Sequence, residues 1–208
     1  MFDNIRADYA RHRPLRNRAL WALVVYRFGR WSMQRKFPPW RWLTSKIYGF
    51  VNIFSEIVTG MIMDRNAQVG KGLHIIHPER VRIHADAVIG DRVGIMHGVT
   101  IGTNMFPGSP TIGNDVFIGV NATIIGKIKI GDGARIAANT LVISDVPPGV
   151  TAIGVPAKFM RLPATKRPSP HDNTRLKGTY PVKEMRMDKS AETPSPVKEE
   201  NLPQRHSE

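Results

Sequence analysis

The sequence predicts a mainly β chain whose central part is a parallel β-solenoid, and two observations support this fold class. First, an aliphatic residue or alanine recurs at every sixth position between Val69 and Val142. A period of six fits neither an amphipathic helix nor a half-buried strand, whose periods are about 3.6 and 2. Second, glycine often follows the recurring residue, which indicates short strands that turn tight corners. Such a short period is typical of solenoids, in which each unit buries its apolar side chain against the next.

The recurring positions contain one irregularity. Between Val99 and Ile112 the spacing is thirteen, one more than two periods, so we expect one extra residue there. We expect each recurring side chain to point inward and the residue two positions later to point outward. The recurring residues are Val69, Ile75, Val81, Ala87, Val93, Val99, Ile112, Ile118, Ile124, Ile130, Ile136 and Val142.

This pattern is the hexapeptide repeat of the left-handed parallel β-helix, a rare exception to right-handed crossover. Three hexapeptides make one triangular coil, so the repeat predicts about four coils. Before it, residues 1–62 form a predicted short helical region. One helix is expected from Ala19 to Gln34 and a second from about Trp40 to Ile62, with a break at the prolines that follow Phe37.

The β-helix domain is predicted over residues 63–160. Prolines 147 and 148 should turn the chain out of the last coil, because proline cannot donate within a central ladder. Thr151 to Met160 should then fold back along the coil edge. Residues 161–208 are rich in Pro, Lys, Glu and Ser, and such a composition cannot offset the entropy of ordering. We therefore expect a disordered C-terminal tail.

The positive charge of the chain is concentrated near its N-terminus. The net charge is +13, and residues 1–50 contain eleven Arg and Lys, two Asp and all four tryptophans. Two interpretations stay open: this segment caps the end of the solenoid, or it makes peripheral contact with an anionic membrane surface. No recognised nucleic-acid module accompanies the charge, so no nucleic-acid partner is expected. The apolar stretch at 47–63 is interrupted by polar residues and is not expected to span a membrane.

The chain has no cysteine, so it has no disulfide framework, no thiolate nucleophile and no thiolate metal site. Its arginine-rich start lacks the apolar core of a secretory signal. We therefore expect a cytoplasmic protein, with the inner face of the membrane as an open alternative.

Four stretches resemble the hexapeptide acyltransferases, most closely serine O-acetyltransferases and their relatives in exopolysaccharide gene clusters. They are residues 69–77 (Val-Gly-Lys-Gly-Leu-His-Ile-Ile-His), 98–102, 112–126 and 145–158, the last of which ends in Gly-Val-Pro-Ala-Lys. They lie within residues 62–160. The resemblance implies an O-acetyltransferase that uses acetyl-CoA as co-substrate.

The resemblance implies that His77 is the catalytic base. The repeat agrees, because with Ile75 inward His77 falls in an outward slot, and an imidazole suits removal of a hydroxyl proton near neutral pH. The family supports this histidine with an aspartate fifteen residues earlier, where this chain has Ile62. Asp64 lies two residues further along and is the candidate for that role.

His97 and Ser109 are the candidate acceptor-binding residues. His97 occupies a corner slot that is normally small, or Gln in the serine enzymes, and it is either a satisfied corner residue or an acceptor-site group. Ser109 stands where the family has a second histidine. Ile76 stands where the family has an acidic residue directly before the catalytic histidine. Because the family uses those positions to hold the amino acid, two acceptors stay open. They are L-serine and a sugar hydroxyl in exopolysaccharide biosynthesis.

The resemblance places the pantetheine of CoA in a groove between adjacent coils, where small residues let backbone amides approach. Arg135 and Lys158 are expected near the CoA phosphates, or are ordinary solvated charges. The other residues expected to bind CoA are Gly102, Thr103, Gly119, Val120, Ala122 and Ala138.

The resemblance implies an assembly of trimers, and because the helical region is less than half the family's usual length we expect a plain homotrimer. In it His77 would face a neighbouring subunit's loop at about 102–111. A different class also stays open: a solenoid without activity, or a metal protein resembling γ-carbonic anhydrases. That metal protein would need three interface histidines, and only His77 and His97 are suitably placed. The spacing of His74, His77 and His84 matches no common metal motif, so no metal is expected.

Overall fold

The computed structural model describes residues 1–12, 17–104 and 106–161, and it contains three helices followed by a parallel β-solenoid of about four coils. The predicted fold class is confirmed. The helices are α1 (Phe2–Arg11), α2 (Arg18–Met33) and α3 (Pro38–Thr59). The predicted tail, apart from Arg161, lies outside the described residues.

Fifteen short strands follow the helices in the described part of the chain. They are β1 (Ile62–Met63), β2 (Gln68–Val69), β3 (His74–Ile75), β4 (Arg82–Ile83), β5 (Val88–Ile89), β6 (Gly94–Ile95), β7 (Thr100–Gly102), β8 (Thr111–Ile112), β9 (Phe117–Ile118), β10 (Thr123–Ile125), β11 (Lys129–Ile130), β12 (Arg135–Ile136), β13 (Leu141–Val142), β14 (Thr151–Ile153) and β15 (Lys158–Met160).

The strands form three ladders, one along each side of the coil. Ladder A has the order β1-β4-β7-β10-β13, ladder B has β2-β5-β8-β11, and ladder C has β3-β6-β9-β12-β14-β15. All pairs are parallel except β14 with β15, which is antiparallel. The expected fold-back after the last coil is therefore confirmed, and it covers the edge of β12.

The helix boundaries follow from local signals. The Asn17 side chain accepts a hydrogen bond from the Ala19 N–H at 2.9 Å and so caps the start of α2. Helix α3 begins at Pro38 rather than at Trp40, because proline is tolerated in the first turn of a helix. It ends at Thr59 rather than at Ile62, because Gly60 adopts a left-handed conformation (φ 66°) that terminates the helix.

The ladders correct the predicted register of the repeat. Ile75 pairs with Ile95 and Ile95 with Ile118, so the strand positions between the two runs are Ile83, Ile89, Ile95 and Ile101. Val81 and its successors are also buried, but they lie two residues earlier, at the corners. The side chain two residues after Val81, that of Ile83, is therefore inward and only 3% exposed, so the outward expectation was wrong there.

Two insertions explain this error. Regular coils take eighteen residues, as from Ile118 to Ile136, whereas Ile75 to Ile95 takes twenty and Ile95 to Ile118 takes twenty-three. The chain therefore carries two extra residues after Ile75 and five more after Ile101. Their sum of seven is one more than a period, so the spacing mimicked a single extra residue. Both insertions lie at corners, where added residues do not disturb the ladders.

A buried polar network joins the helices to the first coil. The Arg27 Nε donates to Asp8 Oδ2 at 3.0 Å, and its two Nη groups donate to the carbonyls of Val69 and Gly70 at 2.7 and 2.5 Å. Asp8 Oδ1 accepts from the Leu73 N–H at 3.1 Å. These carbonyls and the amide belong to the outermost coil, which has no further coil to pair with, so the network satisfies its open edge.

His12 continues this network toward the end of β3. Its Nδ1 lies 2.7 Å from the Asp8 carbonyl oxygen, and its Nε2 accepts from the Ile75 N–H at 2.9 Å. Burial lowers the pKa of His12 below its ordinary value near 6.5, although the nearby Asp8 opposes this shift. Burial also raises the pKa of the Asp8 carboxyl, against the effect of its hydrogen bond to Arg27.

Candidate active site

His77 and His97 lie next to each other at the corner between ladders C and A, which we call the histidine corner. Each lies two residues after a strand residue of ladder C, and those two residues, Ile75 and Ile95, are paired. The imidazole centroids are 5.8 Å apart with an interplanar angle of 67°. His77 is exposed and His97 is half-buried. The fold therefore brings together the predicted base and one predicted acceptor residue.

Val120 and Ala138 continue the same column in the next two coils, because they lie two residues after Ile118 and Ile136. Val120 is half-buried and Ala138 is exposed. Gly119, beside Val120, is buried, and a Cβ there would lie only 2.7 Å from the Ala138 amide nitrogen. A glycine is thus required for the coils to stack this closely. Three of the predicted CoA-binding residues therefore adjoin the two histidines.

Hydrogen bonds hold the backbone of the histidine corner. The Gly98 N–H donates to the Glu79 carbonyl at 2.9 Å, which ties the two-residue insertion around His77 to the next coil. The Asn121 N–H donates to the His97 carbonyl at 3.0 Å. The side chain of Arg18 forms an ion pair with that of Glu79, so the start of α2 also contacts this corner.

Two buried polar atoms at predicted acceptor residues lack hydrogen-bond partners among the described residues. They are His97 Nδ1 and Ser109 Oγ. Most buried side-chain polar atoms have a partner in the protein or in ordered water. Each of these two atoms is therefore suited to a group that a ligand or a neighbouring subunit supplies.

Ser109 lies at a different corner from His77. It belongs to the five-residue insertion between β7 and β8, which projects between ladders A and B. Within this loop the Phe106 N–H donates to Asn104 Oδ1 at 3.0 Å, and the Phe106 side chain is 74% exposed. Thr103, at the start of the loop, is also exposed. One chain alone does not bring Ser109 to His77.

Asp64 is likewise not brought to His77 within the chain. It follows β1 at the far end of ladder A, and its Oδ1 accepts from the Asn66 N–H at 2.7 Å. It lines a cavity of about 710 Å³ between α3 and ladder A, together with Gly102 and His84. The expected support of His77 by Asp64 therefore has no counterpart in this geometry, because Asp64 follows β1 and His77 precedes β4, at opposite ends of these two paired strands.

The remaining predicted CoA-binding residues differ in exposure. Ala122 is fully buried in the core, so its side chain does not line a groove, and its contribution to CoA binding stays a prediction. Arg135 lies on β12 with its guanidinium carbon 5.9 Å from the Phe117 ring centroid. Lys158 is exposed on β15, the outermost strand of the same ladder. Among the residues that the structure describes, no group of three or more His, Cys, Asp or Glu could hold a metal ion.

Sequence reasoning missed the column that links positions 77, 97, 120 and 138. The signal was present as a second series of isoleucines six residues apart, at 83, 89, 95 and 101. It also missed the buried network of Asp8, His12 and Arg27. No periodicity marks these three residues as buried, because their partners are edge groups of the solenoid backbone.

Comparison with known proteins adds independent evidence. The family model described as bacterial transferase hexapeptide (six repeats) matches residues 109–144. The chain is 39% identical over 143 residues to the serine acetyltransferase of Helicobacter pylori strain J99. The aligned region covers 66% of this chain and 78% of that protein.

Two solved structures share the fold. Soybean serine acetyltransferase complexed with serine has a TM-score of 0.64 and 32% identity, covering 76% of this chain and 67% of that one. Serine acetyltransferase from Brucella abortus strain S19 in complex with coenzyme A has a TM-score of 0.65 and 27% identity, covering 77% and 66%. The repeat, the coil geometry and these similarities agree, and the chain belongs to the serine acetyltransferase family of hexapeptide-repeat acyltransferases.

Proposed function

We propose that this protein transfers the acetyl group of acetyl-CoA to the hydroxyl of L-serine, giving O-acetylserine and CoA. The observation that carries the proposal is the exposed His77, which lies edge-to-face against His97 at one corner of the coil. The related structures with bound serine and with bound coenzyme A support these two substrates. Nothing in the described structure or in these relatives favours a sugar acceptor.

In the proposed reaction His77 removes the proton of the serine hydroxyl while the oxygen attacks the thioester carbonyl. The C–S bond then breaks, and the protonated imidazole returns its proton to the departing CoA sulfur. A solvent-accessible imidazole suits both steps, because it can both accept and return a proton. The exposure of His77 lets both substrates approach the ring.

His97 and Ser109 are the proposed acceptor-binding residues. Their buried Nδ1 and Oγ atoms lack partners among the described residues, and polar groups of an amino-acid acceptor could satisfy them. Ile62 and Ile76 stand where the family resemblance implies carboxylates. The protein would therefore hold serine through fewer charged groups than that resemblance implies.

A homotrimer is part of this proposal. His77 precedes β4 and the loop at 103–110 follows β7, the neighbouring strand, so the two lie at opposite ends of the strands of ladder A. A three-fold arrangement can therefore bring the loop of one subunit to the histidine corner of the next. Ser109, Thr103 and Gly102 would then join the site from the neighbouring chain. A cytoplasmic location, with the inner face of the membrane as its finer form, is also part of the proposal.

For CoA we propose the surface formed by Val120, Ala138 and the outward side of ladder C. The small, exposed side chain of Ala138 leaves room for a pantetheine chain further along the column of the histidines. Arg135 and Lys158 lie on the same ladder and supply positive charge for the CoA phosphates.

The test is CoA release from acetyl-CoA by the full-length chain in the presence of L-serine, followed with a thiol reagent. Because the chain has no cysteine, the signal comes from CoA alone. We expect His77→Ala to lower kcat by about a hundredfold or more, the usual scale for loss of a general base. We expect His97→Ala to raise KM for L-serine more than KM for acetyl-CoA.

The matched control is Arg92→Ala, because Arg92 is exposed at the corner between ladders B and C, away from both corners that form the proposed site. It should retain near-normal kcat. An unchanged rate in His77→Ala would remove the proposed base. Absence of release with L-serine, together with turnover on a nucleotide sugar, would replace the proposed acceptor.

A further inference from the structure

Helix α3 has its polar side turned toward the protein and its apolar side turned outward. The side chains that it buries are Thr44, Tyr48 and Thr59, and Asn52 and Ser55 on the same side are half-buried. The hydroxyl groups of Thr44 and Thr59 bond back to helix carbonyls at 2.8 and 2.7 Å. This is the reverse of an ordinary surface helix, whose apolar stripe faces the core.

The outward side is apolar along most of the helix. Phe50 is 79% exposed and Ile57 is 78% exposed. Single exposed apolar residues are common on protein surfaces, but a contiguous group of them marks an interaction site. Because residues three and four apart share a face, these side chains form one continuous surface. We call this the α3 face, and its residues are Trp42, Leu43, Ile47, Phe50, Val51, Ile53, Phe54, Ile57 and Val58.

The charges around the α3 face are basic. Between positions 34 and 47 the charged residues are Arg35, Lys36, Arg41 and Lys46, and none is acidic. Glu56 is the single acidic residue of the helix, and it is half-buried and accepts a hydrogen bond from Asn52 at 2.7 Å. The face therefore offers apolar side chains and positive charge together.

Lys46 lies within the face, four residues from both Trp42 and Phe50, and its Nζ is 6.0 Å from the Trp42 ring centroid. A symmetric contact between copies of α3 would bring this ammonium group into a shared apolar interface, where an unpaired charge is costly. At a bilayer the long side chain can extend to the headgroup level while its methylenes stay in apolar surroundings.

We infer that the α3 face binds the surface of an anionic lipid bilayer, with the helix axis parallel to the membrane plane. Phe50, Ile53 and Ile57 would enter the region below the headgroups, and the basic residues near the start of the helix would contact acidic lipid headgroups. Trp42, at the rim of the face, suits the membrane–water interface. No helix in the described residues is long and apolar enough to cross a membrane.

The inference is independent of the proposed acetyl transfer, because it rests on none of the residues placed in that site. It is tested by co-sedimentation of the full-length chain with vesicles. We expect binding to vesicles of equal parts phosphatidylcholine and phosphatidylglycerol, weak binding to phosphatidylcholine alone, and weaker binding to the anionic vesicles as salt increases.

The decisive variant is Ile57→Glu, which should lower partitioning into the anionic vesicles by about tenfold or more. Its matched control is Ile143→Glu, which places the same charge at an isoleucine that is 53% exposed on the solenoid. The control should bind like the wild type. Since both side chains project into solvent, both variants should fold, and CoA release with L-serine offers a separate check.

Equal vesicle binding by Ile57→Glu and the wild type would overturn the inference, because some other part of the chain would then bind the lipid. Absence of binding of the wild-type chain to anionic vesicles would also overturn the inference. Sedimentation velocity without lipid adds a further outcome. If Ile57→Glu reduces the size of the assembly and the wild type does not bind vesicles, the α3 face is a contact between copies of the chain.

Discussion

The solenoid buries almost only apolar side chains, whereas the N-terminal helices bury charged side chains beside apolar ones. Each coil of the solenoid encloses aliphatic residues, and ten of its isoleucines are at most 3% exposed: Ile75, Ile83, Ile89, Ile95, Ile101, Ile112, Ile118, Ile124, Ile130 and Ile136. The helices bury Asp8, His12 and Arg27, while α3 exposes phenylalanine and isoleucine. One region is therefore built by repetition of one apolar contact, and the other combines apolar contacts of residues such as Leu23 with a single set of buried polar contacts.

This difference shows what the end of a solenoid requires. Inside the stack, each coil supplies hydrogen-bond partners to the next, so its side chains only need to fill space. The first coil has no such neighbour, and its backbone groups must be paired by side chains from elsewhere. The helices meet this need with charged groups, so the stability of the first coil depends on the ionisation of Asp8 and His12.

The largest expected effect is at Arg27. Arg27→Ala would leave the Asp8 carboxylate buried without its ion-pair partner and two first-coil carbonyls without donors. Loss of one member of a buried pair costs about 3–5 kcal/mol in the free energy of unfolding. Urea unfolding measures this loss. Arg92→Ala, which breaks the exposed pair with Asp115, is the control and should change little. Similar losses in both variants would contradict the proposed role of the network.

The next effect tests the apolar region. Ile118 is fully buried in the stack, and Ile118→Ala should lower the free energy of unfolding by about 2–5 kcal/mol through lost contacts and a cavity. Ile143→Ala removes the same atoms from a side chain that is 53% exposed, and its loss should be far smaller. Chemical denaturation of the two variants compares them directly. Comparable losses would mean that the ladder position does not decide the cost.

A smaller effect separates two glycines of the helices. A Cβ at Gly29 would fall inside contact distance of the Tyr48 ring, whose burial raises the pKa of its hydroxyl to about 12. Gly29→Ala should therefore destabilise the protein by about 1–3 kcal/mol. A Cβ at Gly49 would meet nothing within 4 Å, and Gly49→Ala should stabilise α3 by about 0.5–1 kcal/mol. Thermal unfolding should show shifts of opposite sign, and a shared sign would refute the packing argument.

The smallest effect concerns pH and His12. Its folded-state pKa is lowered, so below about 6.5 the unfolded chain binds a proton that the folded chain resists. The stabilisation is thus present above that pH and is lost as pH falls toward the folded-state pKa. Asp8, with a raised pKa, acts in the opposite direction at lower pH. The expected loss is about the net value of one hydrogen bond, about 1 kcal/mol, since protonated Nε2 cannot accept from Ile75.

The measurement is the free energy of unfolding at about pH 7.5 and about pH 5.5. His12→Gln, which keeps an acceptor but does not titrate, should show a smaller difference between the two conditions than the wild type. His84→Ala should keep the wild-type difference, because His84 lies outside this network. An unchanged difference in His12→Gln would assign the pH dependence to other groups.

The repeat was sufficient to predict the solenoid, its coil count and the exposure of His77. This is because a period of six allows only one way to bury a regular series of aliphatic residues. The prolines at 147 and 148 predicted the turn out of the last coil, after which the chain folds back. The repeat could not divide the seven inserted residues between two corners, because any division leaves the same overall spacing. For that reason the expected orientation of the strand residue at 83 was wrong.

The sequence alone therefore determined the repeating element and the outward position of His77, since both follow from local periodicity. Only the tertiary structure decided which candidates share a corner. It placed His97 edge-to-face against His77 and buried Ala122. It also placed Asp64 and His77 at opposite ends of the neighbouring strands β1 and β4. It also decided that α3 turns its apolar side outward. These outcomes depend on how the coils and helices pack against one another, which positions along the chain do not record.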